Sequence, residues 1–219
     1  MPAQIETFDS RQEWLSHRQK GIGGSDIAAV IGQSPWCSNV ELWEIKTGRS
    51  TKKDISNEEA VQYGIKAEDH LRSLFALDHP EYIVHYLELN SWHNDRYPWA
   101  LASLDGWLSD NDMKRRGVLE IKTTEILRAG DWDKWTDHIP QQYYCQVLMY
   151  MAVTDSDFAE LRAAIRYTDK EGSKRTTIRD YHIERKDVEE DIKFLMDKGA
   201  EFWELVEKDI RPSLILPII

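Results

Sequence analysis

Between residues 82 and 183 the apolar residues of this chain stop recurring every three or four positions and fall into short, strand-like runs. YIVHYLEL (82–89), WALASLDGWL (99–108) and GVLEIKTT (117–124) carry that spacing, and NDMKRRG (111–117) is a turn that makes the last two a hairpin. IPQQYYCQVLMYMAV (139–153) returns to the helical period, with Pro140 tolerated in its first turn. LRAAIRYT (161–168) and TTIRDYHIE (176–184) form another strand pair. Helical signals flank this region. Ser10 with Glu13 reads as a capping box before Trp14 and Leu15, ending near Gly21. GGSDIAAVIG (23–32) is a glycine-rich turn entering a short helix with Ser25 at its N-cap, and Ser38 with Glu41 starts a helix that stops at Gly48. NEEAVQYGIKAEDHLRSLFAL (57–77) is helical, with Ala67, Leu71, Leu74 and Phe75 on one side. Asp187 with Glu190 caps a last helix, whose stripe is Val188, Ile192, Leu195, Met196, Phe202, Trp203 and Val206.

That order implies one α/β domain over residues 1–219 with a mixed central sheet flanked by helices. Its parts are a helical region at about 10–80, a sheet core at about 82–183 and a C-terminal helix at about 187–209. A formal net charge of -11 argues against nonspecific coating of nucleic acid, but it leaves room for a cleft with its own local charge. Cys37 and Cys145 are too few for a disulfide framework or a four-thiolate metal site. The opening MPAQIETFDSRQEW has no apolar run of signal-peptide type, and no stretch is long and apolar enough to span a membrane. The expected compartment is a reducing cytoplasm.

Within GVLEIKTT, Glu120 and Lys122 interrupt an otherwise apolar strand. Residues two apart face the same way, so acid and base share a face opposite Leu119 and Ile121. Burying such ions costs several kcal/mol each unless something compensates them. The hairpin brings Asp105, followed by Gly106, beside Glu120. Two carboxylates then converge on one point with an ammonium next to them. Oxygen ligands suit a hard ion such as Mg²⁺, which takes one or two carboxylates and keeps several waters. Such an ion eases the ionisation of water and stabilises charge on a phosphate, so the chemistry implied is phosphodiester hydrolysis. Glu-x-Lys is a short pattern, however, and it also occurs as a solvated face or a cross-strand ion pair.

The N-terminal stretch WLSHRQKGIGGSDIAAVIGQSPWCSNVELWEIKTG (14–48) resembles the opening of the phage lambda-type exonucleases, or YqaJ-like viral recombinases. YGIKAEDHL is similar to that family's Gly-x-x-x-Glu helix, SLDGWL and LEIKTT to its Asp and Glu-x-Lys motifs, and IPQQYYCQVLMYMAVT to its Pro-x-x-Tyr-x-x-Gln helix. The motifs run in the family's order over residues 14 to about 154. Leu104 departs from the proline that often precedes the family's motif Asp.

The resemblance implies the PD-(D/E)xK restriction-endonuclease-like core. It implies Mg²⁺-dependent digestion of double-stranded DNA from the 5′ end, with Mn²⁺ able to substitute, leaving 3′ single strands for phage-type recombination in a bacterial or phage-infected cell. It also implies a ring-shaped homotrimer on DNA ends and a single-strand annealing protein as partner. By motif, Asp105 and Glu120 are metal ligands together with the Ile121 backbone carbonyl, and Lys122 is the catalytic lysine. Glu68 is a further acid for a second metal or its waters, and Gln146 and Tyr143 lie near the cleavage site. Arg18 and Ser25 correspond to the pair that grips the 5′ phosphate. Physical chemistry supports that grip: a helix N-terminus offers free N–H groups, Gly23 and Gly24 allow close approach, and Arg18 supplies a bidentate fork. Trp14 is either a core residue or a stacking platform for the terminal base. The competing readings are a restriction-type or Cas4-like endonuclease of the same superfamily, and a DNA-end-binding protein without turnover. A Cas4-like enzyme would need a cysteine cluster that this chain lacks.

Overall fold

The strand-spaced runs build a five-stranded sheet in a computed structural model that describes residues 3–216. Its strands are β3 (Tyr82–His85), β6 (Gly106–Asp110), β7 (Arg116–Ile126), β8 (Phe158–Thr168) and β9 (Lys174–Glu184), in the order β3-β6-β7-β8-β9. All neighbours are antiparallel except β7 and β8, which are parallel. A parallel pair needs a crossover, and α5 (Gln141–Thr154) supplies it. The residues of β8 from Phe158 to Ile165 are buried, as expected of a strand covered on both faces.

Two apolar layers flank the sheet. On one face, α5 packs with α2 (Gly24–Val30) and α6 (Glu189–Glu207) around Val118, Leu161 and Ala163. α5 is buried from Cys145 to Thr154 because helices and sheet enclose it. On the other face, α4 (Glu59–Asp78) sets Leu71 and Phe75 against Leu108, Leu119 and Ile121. The period of β7 therefore assigns Leu119 and Ile121 to the α4 side, while Val118, Glu120 and Lys122 face the α5 side.

The helix starting after Ser38 has the full capping box with Glu41 and spans Asn39–Lys46 (α3). Ser10 accepts from the Glu13 N–H ahead of α1 (Arg11–Arg18). Two expected caps are not formed. Gly23, not Ser25, is the N-cap of α2, because the Ser25 hydroxyl lies inside the helix and accepts from Arg18. Val188 precedes α6 without a side-chain cap, since Asp187 ends a 3-10 turn, Arg185–Asp187.

The run at 82–89 is a strand only to His85, and the run at 99–108 breaks into β5 (Ala100–Leu101) and β6, leaving Leu104 and Asp105 outside either strand. Sequence spacing also missed β1 (Gln4–Thr7) against β4 (Asn90–His93), and β2 (Ile22–Gly23) against β5, because segments this short hold too little periodicity to read. Of the apolar C-terminal run LILPII (214–219), Leu214 to Leu216 are exposed and residues 217–219 lie outside the described residues. The Asn39 side chain ties that tail to α3, donating to the Ser213 carbonyl at 2.8 Å and accepting from the Ile215 N–H at 3.0 Å.

Candidate active site

The break between β5 and β6 is where Asp105 sits, and two side chains from elsewhere in the chain hold it. Asn90 grips Leu104 at both main-chain groups, donating to its carbonyl and accepting from its N–H, each at 2.9 Å. A proline at position 104 would have no N–H for that bond. Arg72 Nε donates to the Asp105 carbonyl at 2.6 Å. The Asp105 carboxylate then turns inward, and its Oδ2 accepts from the Ile121 N–H at 2.8 Å.

Antiparallel pairing of Gly106 with Leu119 sets Asp105 beside Glu120. The Glu120 side chain is 1% exposed. Its Oε1 accepts from Gln146 Nε2 at 2.6 Å and pairs with the Lys122 ammonium, while its Oε2 is buried with no hydrogen-bond partner. Gln146 also donates to the Tyr150 hydroxyl at 3.0 Å, so α5 fixes it from a second side. Burial, reinforced by the Asp105 carboxylate, pushes the Glu120 carboxyl up to about 8. Burial also raises Asp105. For Lys122, burial alone would lower the pKa, but Glu120 and Asp105 outweigh it and the net shift is upward. Lys122 is thus held charged. Glu68, on α4, is pushed up to about 7 by burial and then by Asp105, against the pull of Arg72. Acids raised by burial and by a neighbouring carboxylate, as Glu68 and Glu120 are by Asp105, form a site that a cation would relieve.

Asp105, Glu120, Lys122, Gln146 and Glu68 line one cleft of about 570 Å³, together with Arg18, Ser25 and Trp14. Arg18 donates to the Ser25 hydroxyl at 3.1 Å and stacks over Trp14, 4.6 Å from the ring centroid. Trp14 is half-buried, and its indole N–H donates to the Asn90 carbonyl at 3.0 Å. Behind this corner a buried Lys46 bonds Asp26 at 3.1 Å and the Arg18 carbonyl at 3.2 Å, locking the end of α1 to the start of α2. Tyr143 stands apart from the cleft lining, with its ring centroid 5.0 Å from the Lys122 nitrogen and 5.9 Å from the Trp36 ring.

Glu68 does not close on the other acids. Its Oε1 is taken by Arg72 at 2.7 Å, and among the described residues no three His, Cys, Asp or Glu side chains lie close enough to hold a metal ion. The donor set is nevertheless one that Mg²⁺ accepts: two carboxylates in an oxygen-rich wall, completed by waters. The orphaned Oε2 of Glu120 is the atom that such an ion would satisfy. Sequence reasoning missed Arg72, Asn90 and Tyr150. The first carried a readable signal, four residues after Glu68 on the same helix face. Tyr150 carried the same signal, four residues after Gln146 on α5, whereas Asn90 acts through contacts with a separate segment.

The family model of the YqaJ-like viral recombinase domain matches residues 13–157. The protein YqaJ of Bacillus subtilis (strain 168) is 30% identical over 156 residues, which is 71% of this chain but 46% of that protein. The chain therefore spans about half the length of that relative. In three dimensions it is similar to an alkaline exonuclease from Laribacter hongkongensis, with a TM-score of 0.65 and 20% identity over 91% of this chain and 94% of that one. The same enzyme in complex with dAMP gives a TM-score of 0.60 at 18% identity over 91% and 94% of the two chains. A phage related exonuclease from Haemophilus somnus 129PT gives 0.55 at 12% identity over 87% and 96%. These neighbours share the restriction-endonuclease-like fold expected from the sequence, a mixed sheet flanked by helices.

Proposed function

The chain belongs to the YqaJ-like viral recombinase family, and from that premise we propose that it is a metal-dependent exonuclease. It degrades one strand of double-stranded DNA from the 5′ end and leaves 3′ single strands for recombination. The observation that carries this reading is the sharing of one cleft by the Asp105, Glu120, Lys122 group and the Arg18, Ser25 corner. A hydrolytic centre and a phosphate grip side by side suit an enzyme that works from a strand end.

Asp105 and Glu120 would hold Mg²⁺, with the Ile121 carbonyl as a third oxygen and Glu68 steadying waters or a second ion. When bound, the ion supplies positive charge at the scissile phosphate. The chain's own groups do the rest. Lys122, kept charged, orients the attacking water and adds charge beside the phosphate. Gln146, anchored on Glu120 and Tyr150, contacts the water or a phosphate oxygen. Arg18 and Ser25 take the terminal 5′ phosphate, Trp14 flanks the end base, and Tyr143 shields the lysine. The dAMP bound to the Laribacter enzyme supports a mononucleotide product. Mn²⁺ should replace Mg²⁺. The reading further implies a homotrimeric ring on DNA ends, a single-strand annealing partner and work in the cytoplasm of a bacterial or phage-infected cell. No helix among the described residues is long and apolar enough to cross a membrane.

The test is a time course on linear, nicked and closed circular duplexes with and without Mg²⁺. Loss of linear duplex from 5′ ends only with the ion supports the reading. Linearisation of circles would favour the endonuclease alternative, and retention without cutting would favour the silent end-binder. Linear DNA with a 5′ phosphate should be consumed faster than DNA with a 5′ hydroxyl, and Arg18→Ala should shrink the difference. Equal rates for the intact protein would remove the phosphate grip from the scheme.

A further inference from the structure

We propose that Arg72 is a positioning residue: it ties the helix-borne acid Glu68 to the turn that carries Asp105, and so sets the metal-binding geometry of the cleft. The proposal rests on the nuclease reading above. Arg72 is buried, and its guanidinium lies 3.5 Å from the Tyr86 ring centroid. Stacking fixes the plane of the group, and a guanidinium donates only within its plane. One edge reaches the Asp105 carbonyl at 2.6 Å. Another reaches Glu68 Oε1 at 2.7 Å and a third Asp69 Oδ1 at 3.1 Å.

Glu68 and Asp105 come from separate parts of the chain, and the described residues give the Glu68 carboxylate no other side-chain hydrogen bond. Without Arg72, Glu68 could leave the cleft wall and the Asp105 carbonyl would lose its side-chain donor. Asp105 would then keep its carboxylate bond to the Ile121 N–H but not the anchor on its main chain. Lysine cannot reproduce this arrangement, because a single ammonium neither stacks as a plate nor spans two edges. Asp69 offers an internal control. It is the outermost of the three partners, at the rim of the cleft with a side chain 80% exposed, and its carboxylate is tied to Arg72 alone among these groups.

The experiment titrates the DNA-free protein with Mg²⁺ alone by calorimetry and measures kcat and KM on linear duplex, at a temperature where each variant is shown folded by circular dichroism. Arg72→Lys and Arg72→Gln should each weaken Mg²⁺ binding by about tenfold or more and lower kcat, with KM for DNA unchanged. Asp69→Ala should match the intact protein in both. If either Arg72 variant is folded and binds Mg²⁺ with intact-protein affinity, Arg72 is only structural and the proposal fails. Recovery by Arg72→Lys alone would show that charge suffices and would equally overturn the two-edged brace. If Arg72→Gln does not fold, Arg72→Lys decides. An intact protein that neither binds Mg²⁺ nor cuts DNA would sink the nuclease reading itself, whereas one that does both while the variants match it sinks the brace alone.

Discussion

Glu120 shows at the scale of one residue why the site exists. A carboxyl buried in a strand, with one oxygen shared by Lys122 and Gln146 and the other left without a partner, would be stabilised by the cation proposed to join it. On this view Lys122→Ala should cut kcat by at least about 100-fold. DNA retention in a gel-shift assay should persist, and unchanged hydrolysis would remove Lys122 from its role. A second prediction concerns Asp26. Burial alone would raise its pKa, but Lys46, Lys52 and Arg18 outweigh that and bring it down from 3.8 to about 2. A folded-state pKa below the unfolded one adds stability that is complete above about pH 4 and lost as the pH falls through about 2, on the order of 2 kcal/mol in all. Urea unfolding between pH 2 and pH 5 should show this acid limb, and Asp26→Asn should flatten it. Because that change also strands the buried Lys46, it should cost about 3 kcal/mol at neutral pH. An equally steep acid limb in the variant would refute the assignment.

At the scale of elements, the site depends on how closely α2 approaches α5. Gly24 makes that approach possible: a Cβ there would stand 2.2 Å from the Tyr150 ring and 3.0 Å from Gln146. Gly24→Ala should therefore destabilise the protein by about 2 kcal/mol and lower its Tm by several degrees. It should also reduce nuclease activity at temperatures where the protein remains folded, since the ring it displaces holds Gln146. Gly130→Ala is the control, because a Cβ there would meet nothing within 4 Å. Equal thermal shifts for the two variants would refute the packing argument. The same scale explains which caps were readable. Ser38 and Glu41 serve only each other, so their spacing predicts the box that forms. Ser25 has the right residue type, but Arg18 claims its hydroxyl, and Gly23 caps the helix instead.

At the scale of the whole molecule, the chain carries a formal net charge of -11, and its candidate DNA-contacting cations gather in one cleft. Binding to DNA should be local and salt-dependent, and polyanion coating should be absent. The proposed ring adds an assembly prediction: sedimentation at micromolar concentration should give a trimer, and a strict monomer would contradict it. Much of this was legible in the chain. The change of hydrophobic period announced the sheet and its flanking helices, and the spacing within LEIKTT placed Glu120 and Lys122 on one face. Both are local consequences of backbone geometry, so sequence order determines them. The hairpin also put Asp105 next to Glu120, since antiparallel neighbours follow from a short turn. Only the tertiary structure decided what holds those groups in place. Arg72 reaches Asp105 across 33 positions, Asn90 grips Leu104 across 14, and Gln146 meets Glu120 across 26. Such partners are chosen by packing between distant segments, and no local period or propensity encodes that choice.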